Sequence, residues 1–147
     1  MSILKSHWAT AARILLGSVF LIFGLNGFLH FLPMPPLPAE AGSFMGALAA
    51  TGYFFPLLKG TAVVAGLLLL SGRLVPVALI ALAPILVNIF AFHLFLAPGL
   101  GLPIVIVALE LALAWHHREA FRPLFRPAPA VETPDARPTL GRPAHAN

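Results

Sequence analysis

Cysteine is absent from the 147 residues, which excludes a disulfide framework, thiolate metal sites and any thiol–disulfide relay within the chain. Charge is scarce as well. Asp, Glu, Lys and Arg make up 10% of the residues, against about 25% in an ordinary soluble domain. With 59% hydrophobic residues and a mean hydropathy of +0.93, the chain falls in the membrane class, and its length allows one compact domain. Acidic residues are fewer than basic ones, for a net charge of +4, yet the surplus does not read as a nucleic-acid face. Arg118, Arg122, Arg126, Arg137 and Arg142 all follow the last apolar run, which is a topology signal. No A-x-A-like site follows the long first apolar run, so no cleavable signal peptide is expected. No internal repeat is visible.

What is present is a set of four apolar runs. The most telling spans residues 74–96, which hold no charge but carry Pro84, Asn88 and His93. About 20 residues at about 1.5 Å rise cross the hydrocarbon core, so this run reads as a membrane-spanning helix. The first run covers residues 11–32, with Arg13 at its base and Trp8 suited to the interface. Gly17 and Gly24 are seven apart on one helical face and permit close helix approach. Asn26 and His30 are four apart and are expected to share a face. The prolines from Pro33 to Pro38 then stop the helix. Residues 40–51 are too few to span and read as a small helix, interfacial or re-entrant over the bundle. The second span is 53–71, with Lys59 inside, and the fourth is 102–118, with Glu110 inside and Pro103 tolerated in its first turn. The fourth helix is expected to continue to about Phe121.

The expected fold is therefore all-α: an integral membrane four-helix bundle over residues 1–126, followed by a disordered cytoplasmic tail over 127–147, which has too few large apolar residues to offset its ordering entropy. No Lys or Arg lies between spans one and two or between spans three and four, whereas Lys5, Arg13, Arg73 and the later arginines fall on the other side. Both termini are thus expected in the cytoplasm.

That orientation puts Asn26, His30, Lys59, Asn88, His93 and Glu110 in the middle and outer layers of the bilayer. If all six turn inward they line one pocket opening to the outside. Lys59 and Glu110 are the one candidate buried ion pair, although Lys59 also has the length to run up to the outer interface. Asn26 and Asn88 suit interhelical hydrogen bonding. His93 suits a hydrogen-bonded packing role or a quinone contact. A haem clamped between His30 and His93 has no second His pair or spacing signature behind it, and no metal site is expected. An intramembrane carboxyl such as Glu110 marks a functional site by default.

Taken together, several segments resemble the DoxX family of small four-span proteins of the bacterial inner membrane. They are Gly24-Leu25-Asn26 with Phe28, the Leu32-Pro33-Met34-Pro35 run, Ala49 to Tyr53 ahead of Pro56 and Lys59, Ala83-Pro84-Ile85 to Asn88, Phe92 to Leu96, Glu110 to Trp115, and Phe121 to Arg126. The likeness covers about residues 13–126. It implies a membrane subunit linked to redox or sulfur metabolism, in some members to quinone-coupled thiosulfate oxidation. The chain departs from the family's pattern at Ala62, where a glutamate is frequent, and at Gly27, where a lysine is common. The departure at Ala62 leaves Glu110 as the one intramembrane acid for Lys59.

Three functions follow as expectations. The first is an oxidoreductase subunit offering a quinone or other small apolar ligand a pocket lined by Asn26, Lys59, His93 and Glu110. The second is a scaffold or assembly factor in the bilayer, acting with a protein partner or a second copy of itself. The third is a small carrier, for which four short spans leave little room.

Overall fold

A computed structural model of the chain describes residues 2–125, with side chains from His7 onward. The tail expected to be disordered, residues 127–147, lies outside the described residues.

The described residues are helical, with no strand among them. In chain order the elements are α1 (Ser2–Leu29), α2 (Ala39–Ala50), α3 (Phe54–Ser71), α4 (Val75–Phe95), α5 (Gly101–His116), the short α6 (Arg118–Phe121) and a 3-10 turn, Arg122–Phe125. Of these, α1, α3 and α4 are long and apolar enough to cross a membrane, as expected of a membrane protein. With 16 residues, α5 is shorter than they are. The fourth span, expected over residues 102–118, is α5, and its length has a local cause. The chain does not stay helical from 102 to Phe121, because the helix breaks at His117 and resumes as α6.

α1 packs along α3, α3 on α4, α4 on α5, and α5 back on α1. Leu16, Leu69, Leu82, Leu86 and Leu113 are fully buried where these helices meet. The α1–α3 contact is the closest, and glycine makes it so. A Cβ placed on Gly66 would stand 2.8 Å from the Leu21 backbone nitrogen and 2.9 Å from the Gly17 carbonyl oxygen. At Gly24 it would meet the Val63 side chain at 2.8 Å. The close approach expected from Gly17 and Gly24 is therefore present, with Gly66 as its counterpart on α3.

The helix ends explain the connections. Gly72 takes a left-handed conformation, φ 71°, and its N–H donates to the Leu69 carbonyl at 3.1 Å, closing α3. At the other end of the molecule, Thr51 accepts from the Phe54 N–H at 3.3 Å and so links α2 to α3. α2 lies over this end: Ala41 is fully buried, and Phe44 meets Phe92 of α4 with centroids 6.2 Å apart.

Candidate functional site

The six polar residues do not line one pocket. They are held differently: Asn26, Asn88 and His93 by nearby backbone, Lys59 by another helix.

Asn26 is buried in the last turns of α1. Its Oδ1 accepts from the Leu32 N–H at 2.6 Å, and its Nδ2 lies 3.5 Å from the Leu32 carbonyl oxygen. This asparagine therefore bonds the chain that leaves its own helix, not another helix. His30 lies beyond the end of α1 with φ 51°, and it is exposed. The expectation that Asn26 and His30 share a helical face fails because the helix stops at Leu29. His30 is accordingly not presented from a helix toward His93.

Lys59 lies across Gly27 of α1, and its Nζ ends 3.5 Å from the Phe23 carbonyl oxygen. Glycine at this position leaves that carbonyl open to a second donor. Among the described residues no ion pair joins Lys59 to Glu110, and the ammonium settles against α1 instead of running to the helix end. Asn88 faces outward from α4 and donates from Nδ2 to the Pro84 carbonyl at 2.9 Å. His93 bonds the Ile89 carbonyl through Nδ1 at 2.9 Å. Both are contacts one helical turn back. Helix α4 continues unbroken through Pro84.

Glu110 stands apart. It is 8% exposed, and its Oε1 has no hydrogen-bond partner among the described residues. It lines an open groove of about 570 Å³ between α4 and α5, closed at one end by the C-terminal turns. Phe90 and Phe95 line it toward the C-terminal end of α4, Phe121 and Phe125 line it from the C-terminal turns, and the small Ala83 and Ala114 lie between. Glu110 is the one polar side chain in it. Its direction follows from spacing: Val107 and Ala114, three before and four after, line the same groove. The sequence alone does not place a groove here or bring Phe121 and Phe125 to it. The aromatic and small residues of α4 at helical spacing were the signal available.

In the sequence Arg13 stands out only as a charge at the base of a helix. In the structure its Nη1 donates to the Leu69 carbonyl and, at 3.0 Å, to the Leu70 carbonyl. These are carbonyls of the last turn of α3, where the helix supplies few N–H partners: Leu69 also accepts from the Gly72 N–H that closes the helix. The cation also sits at the negative end of that helix. At the same end of the molecule Trp8 meets His116 edge-to-face at 5.5 Å, and Arg118 lies 5.6 Å from the centroid of Trp115. Arg122 pairs with Glu119 at 2.7 Å.

Among the described residues no three His, Asp or Glu side chains converge as metal ligands would. No protein family, curated protein or solved structure matches this chain. The groove and its carboxyl are thus the best-formed site from which to read a function.

Proposed function

We propose that the chain is a membrane protein that takes a small, largely apolar ligand into the groove between α4 and α5, with Glu110 as its polar contact. Glu110 carries this reading. A carboxyl buried without a hydrogen-bond partner costs several kcal/mol if charged, so its retention in an apolar groove asks for a ligand that satisfies it.

Membrane embedding is supported by the outer faces of the helices. Each long helix buries at most 33% of its most apolar window. Leu57, Val87 and Leu111 are each about two-thirds exposed, and so broad an apolar exterior suits lipid and not water. In this proposal α5 is the fourth crossing and completes a four-helix bundle. At about 1.5 Å per residue it is short, and Trp115 and Arg118 anchor its end at the interface. Arg13, Arg73, Arg118 and Arg122 gather at one end of the molecule, which supports a reading with both termini in the cytoplasm.

The likeness to the DoxX family gives the reading its redox form: a subunit of the bacterial inner membrane whose ligand is a quinone. The groove suits one, being apolar along its length and within the range of ligand sites, about 300–1,000 Å³. A bound quinone would supply the electron transfer. Glu110 would donate a hydrogen bond to a ring ketone or accept one from a ring hydroxyl, and hold or release a proton there. The phenylalanines would exclude water from the ring.

The test is lipid extraction and mass spectrometry of the purified protein, with absorbance, alongside binding of a decyl-substituted benzoquinone. The expected result is a co-purifying apolar molecule and saturable quinone binding that Glu110→Gln weakens. Clean protein with no saturable binding would remove this reading.

A second reading, a non-catalytic scaffold, is favoured by one observation: Asn26, Asn88 and His93 all bond their own chain's backbone. Its mark is a stoichiometric protein partner in the purified complex with no ligand present.

A further inference from the structure

We infer that the same groove binds lipophilic cations, with Glu110 exchanging its proton for the cation. This goes beyond the neutral ligand proposed above and rests on that reading in one respect, that the groove is a ligand site.

The inference comes from charge complementarity. A carboxylate in an apolar groove requires a counter-charge, and the described residues provide none there. Lys59 is spent on the far side, against Gly27 and Phe23 of α1. Arg13 is held by the end of α3, and Arg118 and Arg122 lie with Glu119. Neither α4, α5 nor the C-terminal turns bring another titratable side chain to the groove. A proton can neutralise Glu110, and so can a bound cation.

The groove walls then select which cation. A small hydrated metal ion would have one carboxyl and no further oxygen ligands here, too few for a hard cation. A cation whose charge is spread within a hydrophobic body loses little on leaving water. Phe90, Phe95, Phe121 and Phe125 are among the residues that line the groove. Aromatic faces attract such cations, the more so when they are desolvated. The groove opens on the outside of the helices, so a ligand dissolved in the bilayer enters it sideways.

One carboxyl serving two cations makes them compete. Lowering the pH must weaken binding of the lipophilic cation, with a limiting slope of about tenfold per pH unit for one proton released per cation bound. No other groove residue contributes to that slope.

The experiment is equilibrium binding to the purified full chain in a neutral detergent, using tetraphenylphosphonium, tetraphenylborate and the decyl-benzoquinone. The first two share size and shape and differ in the sign of charge. The expected result is saturable binding of the phosphonium at least tenfold tighter than that of the borate. It weakens as pH falls, is lost in Glu110→Gln and is reduced several-fold in Phe90→Leu. Should Glu110→Gln fail to fold, the pH dependence of the native chain and Phe90→Leu carry the test. Equal binding of phosphonium and borate, or phosphonium binding independent of pH, overturns the inference. Quinone binding through Glu110 without phosphonium binding overturns it while leaving the ligand-site reading standing. Failure of all three probes to bind removes both.

Discussion

Lys59 of α3 lies flat across Gly27 of α1, and only glycine leaves room for it. A Cβ at position 27 would stand 2.5 Å from Lys59 Cγ, 2.6 Å from Cδ and 2.9 Å from Cε. The stem of the lysine is thus packed along its length, and its ammonium ends at the Phe23 carbonyl. A lysine in this position is a helix-packing element of the α1–α3 contact.

Gly27→Ala is therefore predicted to eject the Lys59 side chain without unfolding the molecule, because a long side chain can rotate away. Lys59 should react several-fold faster with an amine-directed reagent in the variant, measured by mass spectrometry of the labelled peptide. Unchanged reactivity would mean that Lys59 is already free in the native chain.

Gly66 offers the opposite case. The Cβ of Gly66→Ala would meet backbone, the Leu21 nitrogen at 2.8 Å and the Gly17 oxygen at 2.9 Å, and neither can rotate aside. The two helices must separate, at an overpacking cost of about 1–3 kcal/mol. Gly66→Ala should lower the thermal midpoint in detergent clearly, whereas Gly46→Ala, where a Cβ has open space, should leave it in place. Equal midpoints for the two variants would count against the close α1–α3 contact.

Arg13 holds the end of α3. Removing the guanidinium leaves the Leu69 and Leu70 carbonyls short of a charged donor, a loss of about 1.5–3 kcal/mol for hydrogen bonds of this kind. Arg13→Met should therefore destabilise the protein, and Arg13→Lys should recover part of the loss as a single point donor. Full recovery by lysine would mean that charge alone matters at this position, not the fork of the guanidinium.

The sequence announced its helices well, for reasons visible in particular residues. Long apolar runs admit few alternatives to helix, and Gly72 with its left-handed φ and Pro98-Gly99 mark ends, whereas α1 stops at Leu29, short of the prolines from Pro33. Gly17 and Gly24 signalled the close packing because their spacing is helical. Asn26, His30, Lys59 and Glu110 are harder to place, since each depends on a precise helix end or on residues far along the chain. Asn26 needs the turn through His30 to reach Leu32. The course of Lys59 depends on which α1 residue faces it, and that residue is a glycine. His117 breaks a helix that the apolar pattern alone would run on to Phe121. Glu110 stands out in the sequence as an acid in an apolar run, but its groove is made by α4 and the C-terminal turns, which only packing brings together.

The same separation decides how Glu110 and Lys59 relate to each other. As an ion pair they would couple, since removing one would strand the other, and the double variant would recover part of the loss. The structure puts them in different contacts. Lys59 belongs to the α1–α3 seam, Glu110 lines the groove between α4 and α5, and α3 and α5 make no extensive contact. Groups that share no partner add their effects to within about 0.5 kcal/mol. Glu110→Gln and Lys59→Met should therefore be additive in thermal or denaturant stability of the purified protein. Glu110→Gln alone should cost little stability, because it removes a charge that no neighbour balances. Lys59→Met should also be mild, since the methionine keeps most of the stem over Gly27. Coupling well above 1 kcal/mol would show that the two charges feel each other in the membrane. It would also return Lys59 to the site and remove the uncompensated carboxyl on which the cation inference depends.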